Sequence, residues 1–111
     1  MAVPPGRTVY TGLLNERGSY ESDLTVTRLS AQEFLLVASA ATAVRDVDHL
    51  RRAMPPGCRP AVVDVTSGYA VYGVMGPRSR ELLSRLSRRD LSDAAFGFGT
   101  SAMIEDRKSV V

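Results

Sequence analysis

The stretch YTGLLNERGSYESDLTVTRL, Tyr10–Leu29, decides the fold. Thr8 to Leu14 is rich in β-branched and aromatic residues and predicts a strand. Asn15-Glu-Arg-Gly18-Ser19 follows with the chemistry of a hairpin corner, Gly18 being free to take the left-handed conformation that such a corner asks for. Tyr20 to Leu29 then predicts the return strand. Its alternation assigns Tyr20, Ser22, Leu24 and Val26 to one face, suited to a core, and Glu21, Asp23, Thr25 and Thr27 to the other, which is polar. On that polar face Asp23 follows Glu21 and precedes two threonine hydroxyls.

Beyond the hairpin, Phe34-Leu-Leu-Val37 is an unbroken apolar run and predicts a buried third strand over Glu33 to Ala38. The period then changes. Val44, Val47, Leu50 and Met54 recur at spacings of three and four, which predicts an amphipathic helix from Thr42 to Met54, capped by Thr42 and stopped by Pro55-Pro56-Gly57. Ala61 to Thr66 and Tyr69 to Met75 predict two further strands around a Ser67-Gly68 turn. Gly76-Pro77 opens a second helix through Leu82, Leu83 and Leu86, and Phe96-Gly-Phe-Gly99 is expected to be extended. Blocks of strands and helices give an α+β class, a largely antiparallel sheet with two helices on one face.

The chain has 111 residues and a formal charge of +2, enough for one core and only mildly basic. Its arginines cluster locally, Arg51, Arg52 and Arg59 around one loop and Arg78, Arg80, Arg85, Arg88 and Arg89 along the second helix, with few aromatics between them to stack bases. Solvated helix faces explain them better than nucleic-acid binding. Cys58 is the only cysteine, so a disulfide within the chain is impossible, and a reducing compartment fits. Met1 to Gly6 lacks the apolar core of a secretory signal, and no apolar run reaches membrane-spanning length; a cytoplasmic location is expected, with no membrane partner.

No self-contained catalytic motif is present. His49 is the only histidine, on the charged side of the first helix beside Asp48, and reads as a surface residue. One histidine and one cysteine on different elements do not make a metal site. Gly73-Val-Met-Gly76-Pro77 lacks both dinucleotide spacing and the lysine of a phosphate loop. What remains is Asp23, a strand carboxylate able to accept hydrogen bonds from ring nitrogens and an amino group. On alternation alone it reads as an ordinary solvated acid, since acidic residues are common on polar strand faces.

The residue strings add a resemblance. Thr8-Val-Tyr-Thr, Leu14-Asn-Glu-Arg-Gly18, Glu21-Ser-Asp-Leu-Thr-Val-Thr-Arg-Leu29, Asp64-Val-Thr66, Val74-Met-Gly-Pro-Arg-Ser-Arg80 and Asp90-Leu-Ser-Asp-Ala-Ala-Phe96 resemble, in order and spacing, the aminomethyltransferase folate-binding domain family. Within it they are most similar to the C-terminal folate domain of sarcosine and dimethylglycine dehydrogenases. The resemblance implies tetrahydrofolate as cofactor and capture of a one-carbon unit as methylenetetrahydrofolate. It carries to Asp23 a catalytic role at the reduced pterin and to Tyr10 a place in the pocket wall, with Thr25 and Thr27 shaping the pocket. FAD would belong only to an upstream domain of the parent enzyme; that flavin domain, or a lipoyl carrier protein, would be the partner. No metal and no nucleic acid are implied.

The pattern also departs from the family. Ser19 stands where a second corner glycine is common, and Ser39 where the glycine-cleavage enzymes often have asparagine, which favours the dehydrogenase branch. A glycine-cleavage aminomethyltransferase fragment, or a non-catalytic module keeping the fold without the site, remain the alternatives. Residues 7–104 are expected to be a partial folate-binding domain. Residues 105–111 abandon the pattern and read as a non-native tail, Asp106 to Val111 matching the conceptual translation of a sequencing adapter, so a truncated fragment ending near Ile104 is expected.

Overall fold

The turn signal Asn15-Glu-Arg-Gly-Ser19 closes the first strand pair. Residues 2–104 are described by a computed structural model. The residues expected to be a tail, 105–111, lie outside that range. The strands are β1 (Thr8–Leu14), β2 (Tyr20–Arg28) and β3 (Phe34–Ala38), joined in one antiparallel sheet of order β1-β2-β3, and the helices are α1 (Ala43–Arg52) and α2 (Ser79–Leu86). The fold is α+β. The chain forms two compact units, one from the described residues within Met1–Val9, Thr27–Leu35 and Tyr72–Val111, the other from Tyr10–Val26 and Leu36–Val71.

In the second unit the hairpin corner closes through Asn15. Its carboxamide oxygen accepts from the backbone N–H groups of Arg17 and Ser19, each at 3.0 Å, and its Nδ2 donates to Glu21 at 2.9 Å. The Gly18 N–H bonds the Asn15 carbonyl with Gly18 at φ +75°, a conformation that costs glycine little. Ser39 caps the short 3-10 turn Ala40–Thr42 by accepting from the Ala41 N–H at 3.3 Å, and α1 starts directly after it. Thr42 occupies the N-cap position of α1 but makes no side-chain cap bond; its hydroxyl turns to Asp46 instead. The helix ends at Arg52, three residues before Pro55. Val47, Leu50 and Met54 are half-buried as the periodicity requires, while Val44 is exposed.

The first unit is tied together around Arg28. Pro4-Pro5-Gly6-Arg7 forms a tight turn, the Arg7 N–H reaching the Pro4 carbonyl at 3.2 Å with Gly6 at φ +85°. Gly6 donates to the Arg28 carbonyl while Arg28 donates to the Arg7 carbonyl, so two residues face one, a bulge at the sheet end. The Arg28 guanidinium donates to the carbonyls of Val3, Ser30 and Ala31 and lies 5.8 Å from the Phe34 ring centroid. Gly99 and Ser101 bond the backbone of Thr8 and Gly6, and Arg7 pairs with Thr100 in one antiparallel bridge.

Besides the Thr42 cap, other expectations are corrected. Ala61 to Thr66 and Tyr69 to Met75 form no strands; a 3-10 turn at Thr66–Gly68 separates two irregular segments. Strand propensity describes fit to a paired, half-buried pleat, and these segments have no ladder partner among the described residues, leaving Val63, Val71, Tyr72 and Met75 exposed. β3 forms but is not buried: Phe34, Leu36 and Val37 are exposed, because no described layer covers them. Phe96 to Gly99 turns rather than extends, the Phe96 N–H bonding Ser92, and pairing resumes only at Thr100. Tyr20, expected on the core face, is exposed. The buried apolar residues among those described are Leu24 in one unit and Leu91 in the other.

Candidate functional site

Asp23 stands on β2 with its carboxylate in solvent, and Tyr10 reaches it from β1. The Tyr10 hydroxyl donates to Asp23 Oδ2, both residues lying within the second unit. Tyr10 is 71% exposed, so its ring lies open on the surface rather than in a core. The hydrogen bond to Asp23, and then the charge of Asp23, raise the Tyr10 hydroxyl above the ordinary phenol value. The phenol therefore keeps its proton, and its role as donor, to higher pH than a free tyrosine does.

A second ring joins this face. A Cβ built at Gly12 would collide with Cε1 of Tyr20, so the Tyr20 ring lies over the glycine. Gly12 and Tyr10, two residues apart on β1, share a face, which puts Tyr20 on the side that carries Tyr10 and Asp23. Simple alternation assigns Tyr20 to the opposite side. One extra residue in β2 between Tyr20 and Asp23 accounts for the difference, since a bulge inverts the alternation beyond it. The pairing agrees: Asn15 faces Ser19 at the corner while Thr8 faces Thr27, a register that has slipped by one residue between the two pairs. The readable signal for Tyr20 is the glycine across from it, the one residue type that leaves room for a ring to lie flat on the strand.

The two threonines part company. Thr25 is half-buried two residues beyond Asp23. Thr27 belongs to the other unit, is 8% exposed, and shares a hydrogen bond with the Thr8 hydroxyl at 3.0 Å. Its hydroxyl is thus engaged in a cross-strand tie.

Behind the strand lies a group that sequence reasoning did not single out. Asp46, 4% exposed in the first turn of α1, accepts from Ser22 Oγ at 3.0 Å and Thr42 Oγ1 at 2.6 Å. The Arg45 guanidinium donates to the Glu21 carbonyl at 2.6 Å. Together they clamp α1 to the strand segment Glu21-Ser22 that leads into Asp23. A buried carboxylate must be hydrogen-bonded or neutral, and hydroxyl donors beside a helix N-terminus meet that need. Nothing in the apolar periodicity marks Asp46, because the helix pattern treats any charge as a solvent-facing position.

Several other charges pair on the surface. Arg78 and Arg85 both bond Glu81, Arg80 bonds Asp93 at 2.6 Å, and Arg52 pairs with Asp48. Arg78 is the main cause holding the Glu81 carboxyl below its ordinary range, and Arg80 does the same to Asp93. An open groove of about 390 Å³ near Met75, Pro77, Arg78, Leu82 and Arg85 lies in the first unit and contains none of the expected site residues. Among the described residues no group of three or more metal-ligating side chains converges, and no helix is long and apolar enough to cross a membrane. Cys58 is exposed and His49 half-buried on α1.

Chemically, the hairpin face offers an anionic acceptor beside a phenol donor, with a second phenol ring nearby. That set suits a flat ligand bearing N–H donors along one edge. Comparison with known proteins places the chain in a family. The chain is 43% identical over 103 residues to 4-methylaminobutanoate oxidase (formaldehyde-forming) from Paenarthrobacter nicotinovorans, a match covering 93% of this chain and 12% of the relative. It is 32% identical to mitochondrial sarcosine dehydrogenase from Mus musculus, covering 91% of this chain and 12% of the relative. It is 37% identical to an aminomethyltransferase from Thermus thermophilus, covering 78% of this chain and 25% of the relative. The chain therefore spans an eighth to a quarter of the length of these proteins. Residues 1–109 match the GCVT N-terminal domain family, and the chain belongs to that family.

Proposed function

We propose that this chain supplies the pterin-facing hairpin of a tetrahydrofolate-dependent one-carbon transfer enzyme of the demethylating-dehydrogenase kind. The observation that carries the proposal is the exposed Asp23 carboxylate hydrogen-bonded by Tyr10 on a face that also holds the Tyr20 ring. A reduced pterin presents an amino group and ring N–H donors on one edge and a flat ring to pack against phenols, which fits this donor and acceptor set. Tetrahydrofolate, when bound, supplies the two nitrogens that hold a carbon at the formaldehyde level. That oxidation state is the one given in the name of the 4-methylaminobutanoate oxidase relative.

The chain's own work in this scheme is binding and orientation. Asp23 accepts from the pterin edge and can take up a proton there, Tyr10 and Tyr20 pack the ring, and Thr25 borders the same strand. Positioning and electrostatics then dominate over covalent work by the protein. The one-carbon donor would be an iminium delivered by a flavin domain of the parent enzyme, with an aminomethyl group on a lipoyl carrier as the other source; a cytoplasmic setting suits either.

Isothermal titration of the 111-residue chain with tetrahydrofolate tests the proposal. Saturable binding is expected, weakened on the order of tenfold or more in Asp23→Asn because an ionised acceptor is lost. Equal affinity of wild type and Asp23→Asn would remove Asp23 from the site. Absence of binding to a folded chain would favour a non-catalytic module that has kept only the fold.

A further inference from the structure

We propose that Tyr10 is a positioning residue that acts through Asp23, its hydroxyl fixing the carboxylate by holding Oδ2 so that Oδ1 is presented to a ligand's N–H donor. The inference rests on the folate reading of the hairpin and goes beyond it, since a pocket-wall role requires only the ring of Tyr10 and not its hydroxyl.

Asp23 is exposed on β2, and an exposed strand aspartate turns among staggered χ1 wells and a broad χ2. A carboxylate left to rotate must be ordered by the ligand, which subtracts from affinity. Tyr10 supplies a fixed reference from the neighbouring strand. A tyrosine side chain has only two torsions and carries its hydroxyl on a rigid ring, so one well-placed cross-strand donor selects one carboxylate orientation. The backbone under the pair is itself held, because Glu21 and Ser22 are tied to Arg45 and Asp46 of α1. The raised pKa of the Tyr10 hydroxyl keeps the donor proton in place. Each carboxylate oxygen has two acceptor positions, so a bond to Oδ2 leaves Oδ1 wholly available.

The test is a double-mutant cycle in the 111-residue chain, titrated with tetrahydrofolate: wild type, Tyr10→Phe, Asp23→Ala and the pair. Tyr10→Phe keeps the ring and deletes only the hydroxyl. A loss of roughly two- to tenfold is expected when Asp23 is present, in line with one hydrogen bond, and no further loss when Asp23 is alanine. Unchanged affinity of Tyr10→Phe, or an equal loss in both backgrounds, overturns the proposal while leaving folate binding intact. A second readout needs no ligand. The tyrosine-ring NMR titration of Tyr10 is expected to fall toward the ordinary phenol value in Asp23→Ala, and an unmoved midpoint overturns the contact itself. A wild-type chain that shows the titration change yet binds no folate overturns the proposed function, and the ligand half of this inference with it.

Discussion

Replacing Asp46 with alanine is the sharpest test of how this chain holds its functional strand. The carboxylate is 4% exposed and accepts two hydroxyl hydrogen bonds, from Ser22 at 3.0 Å and Thr42 at 2.6 Å. Hydrogen bonds to a charged acceptor contribute about 1.5–3 kcal/mol each. Thr42 recovers part of its loss by donating to the Ser39 carbonyl, 3.2 Å away, whereas Ser22 retains only a long 3.4 Å approach to the Thr42 hydroxyl. The expected net cost is therefore about 2–3 kcal/mol, nearer one full charged bond than two. In a domain of this size that lowers the thermal midpoint by about 10 °C or more. Circular dichroism at the helix band follows the transition. The matched control is Asp48→Ala, which removes an exposed i,i+4 partner of Arg52 and is expected to move the midpoint hardly at all. Equal midpoints for the two variants would refute the clamp, since a helix charge that merely faces solvent cannot distinguish position 46 from position 48.

Two further outcomes follow from local geometry. Gly6→Ala places a Cβ at φ +85° with only ordinary contact to the Ser101 carbonyl at 3.7 Å, so the cost is conformational, about 1–2 kcal/mol; Gly68→Ala, at ordinary φ in open space, is the neutral comparison in chemical denaturation, and equal midpoints would refute the turn assignment. Arg80 depresses the Asp93 carboxyl, so their pair contributes stability above the ordinary aspartate value and loses it as pH falls through the lowered one. Arg80→Ala should therefore differ slightly from wild type at neutral pH and converge with it in acid, and a difference that persists in acid would assign the effect to packing instead.

The hairpin shows what local chemistry can specify. Asn15 and Gly18 act over a few bonds, so their turn is written in residue type alone, whereas the cap expected of Thr42 falls to Ser39, which starts the 3-10 turn ahead of α1. The apolar spacing of Val47, Leu50 and Met54 places α1 within two residues because helix periodicity is also local. Valine-rich segments behave differently. Ala61 to Thr66 and Tyr69 to Met75 carry strand-like residues, but a strand exists only where another backbone accepts its ladder, and that partner is a property of the whole chain.

The candidate site divides along the same line. Sequence by itself determined that Asp23 sits on an exposed strand of a hairpin and, through its neighbours, which family the chain belongs to. Only the tertiary structure decided the rest. It joined the Tyr10 hydroxyl to Asp23, laid Tyr20 over Gly12 against the alternation, engaged Thr27 with Thr8, and buried Asp46 beneath Ser22. Those outcomes depend on cross-strand register and on how a helix meets a strand. A single extra residue in one strand inverts the faces beyond it, and no count of residue types along one segment records where its neighbour places that residue.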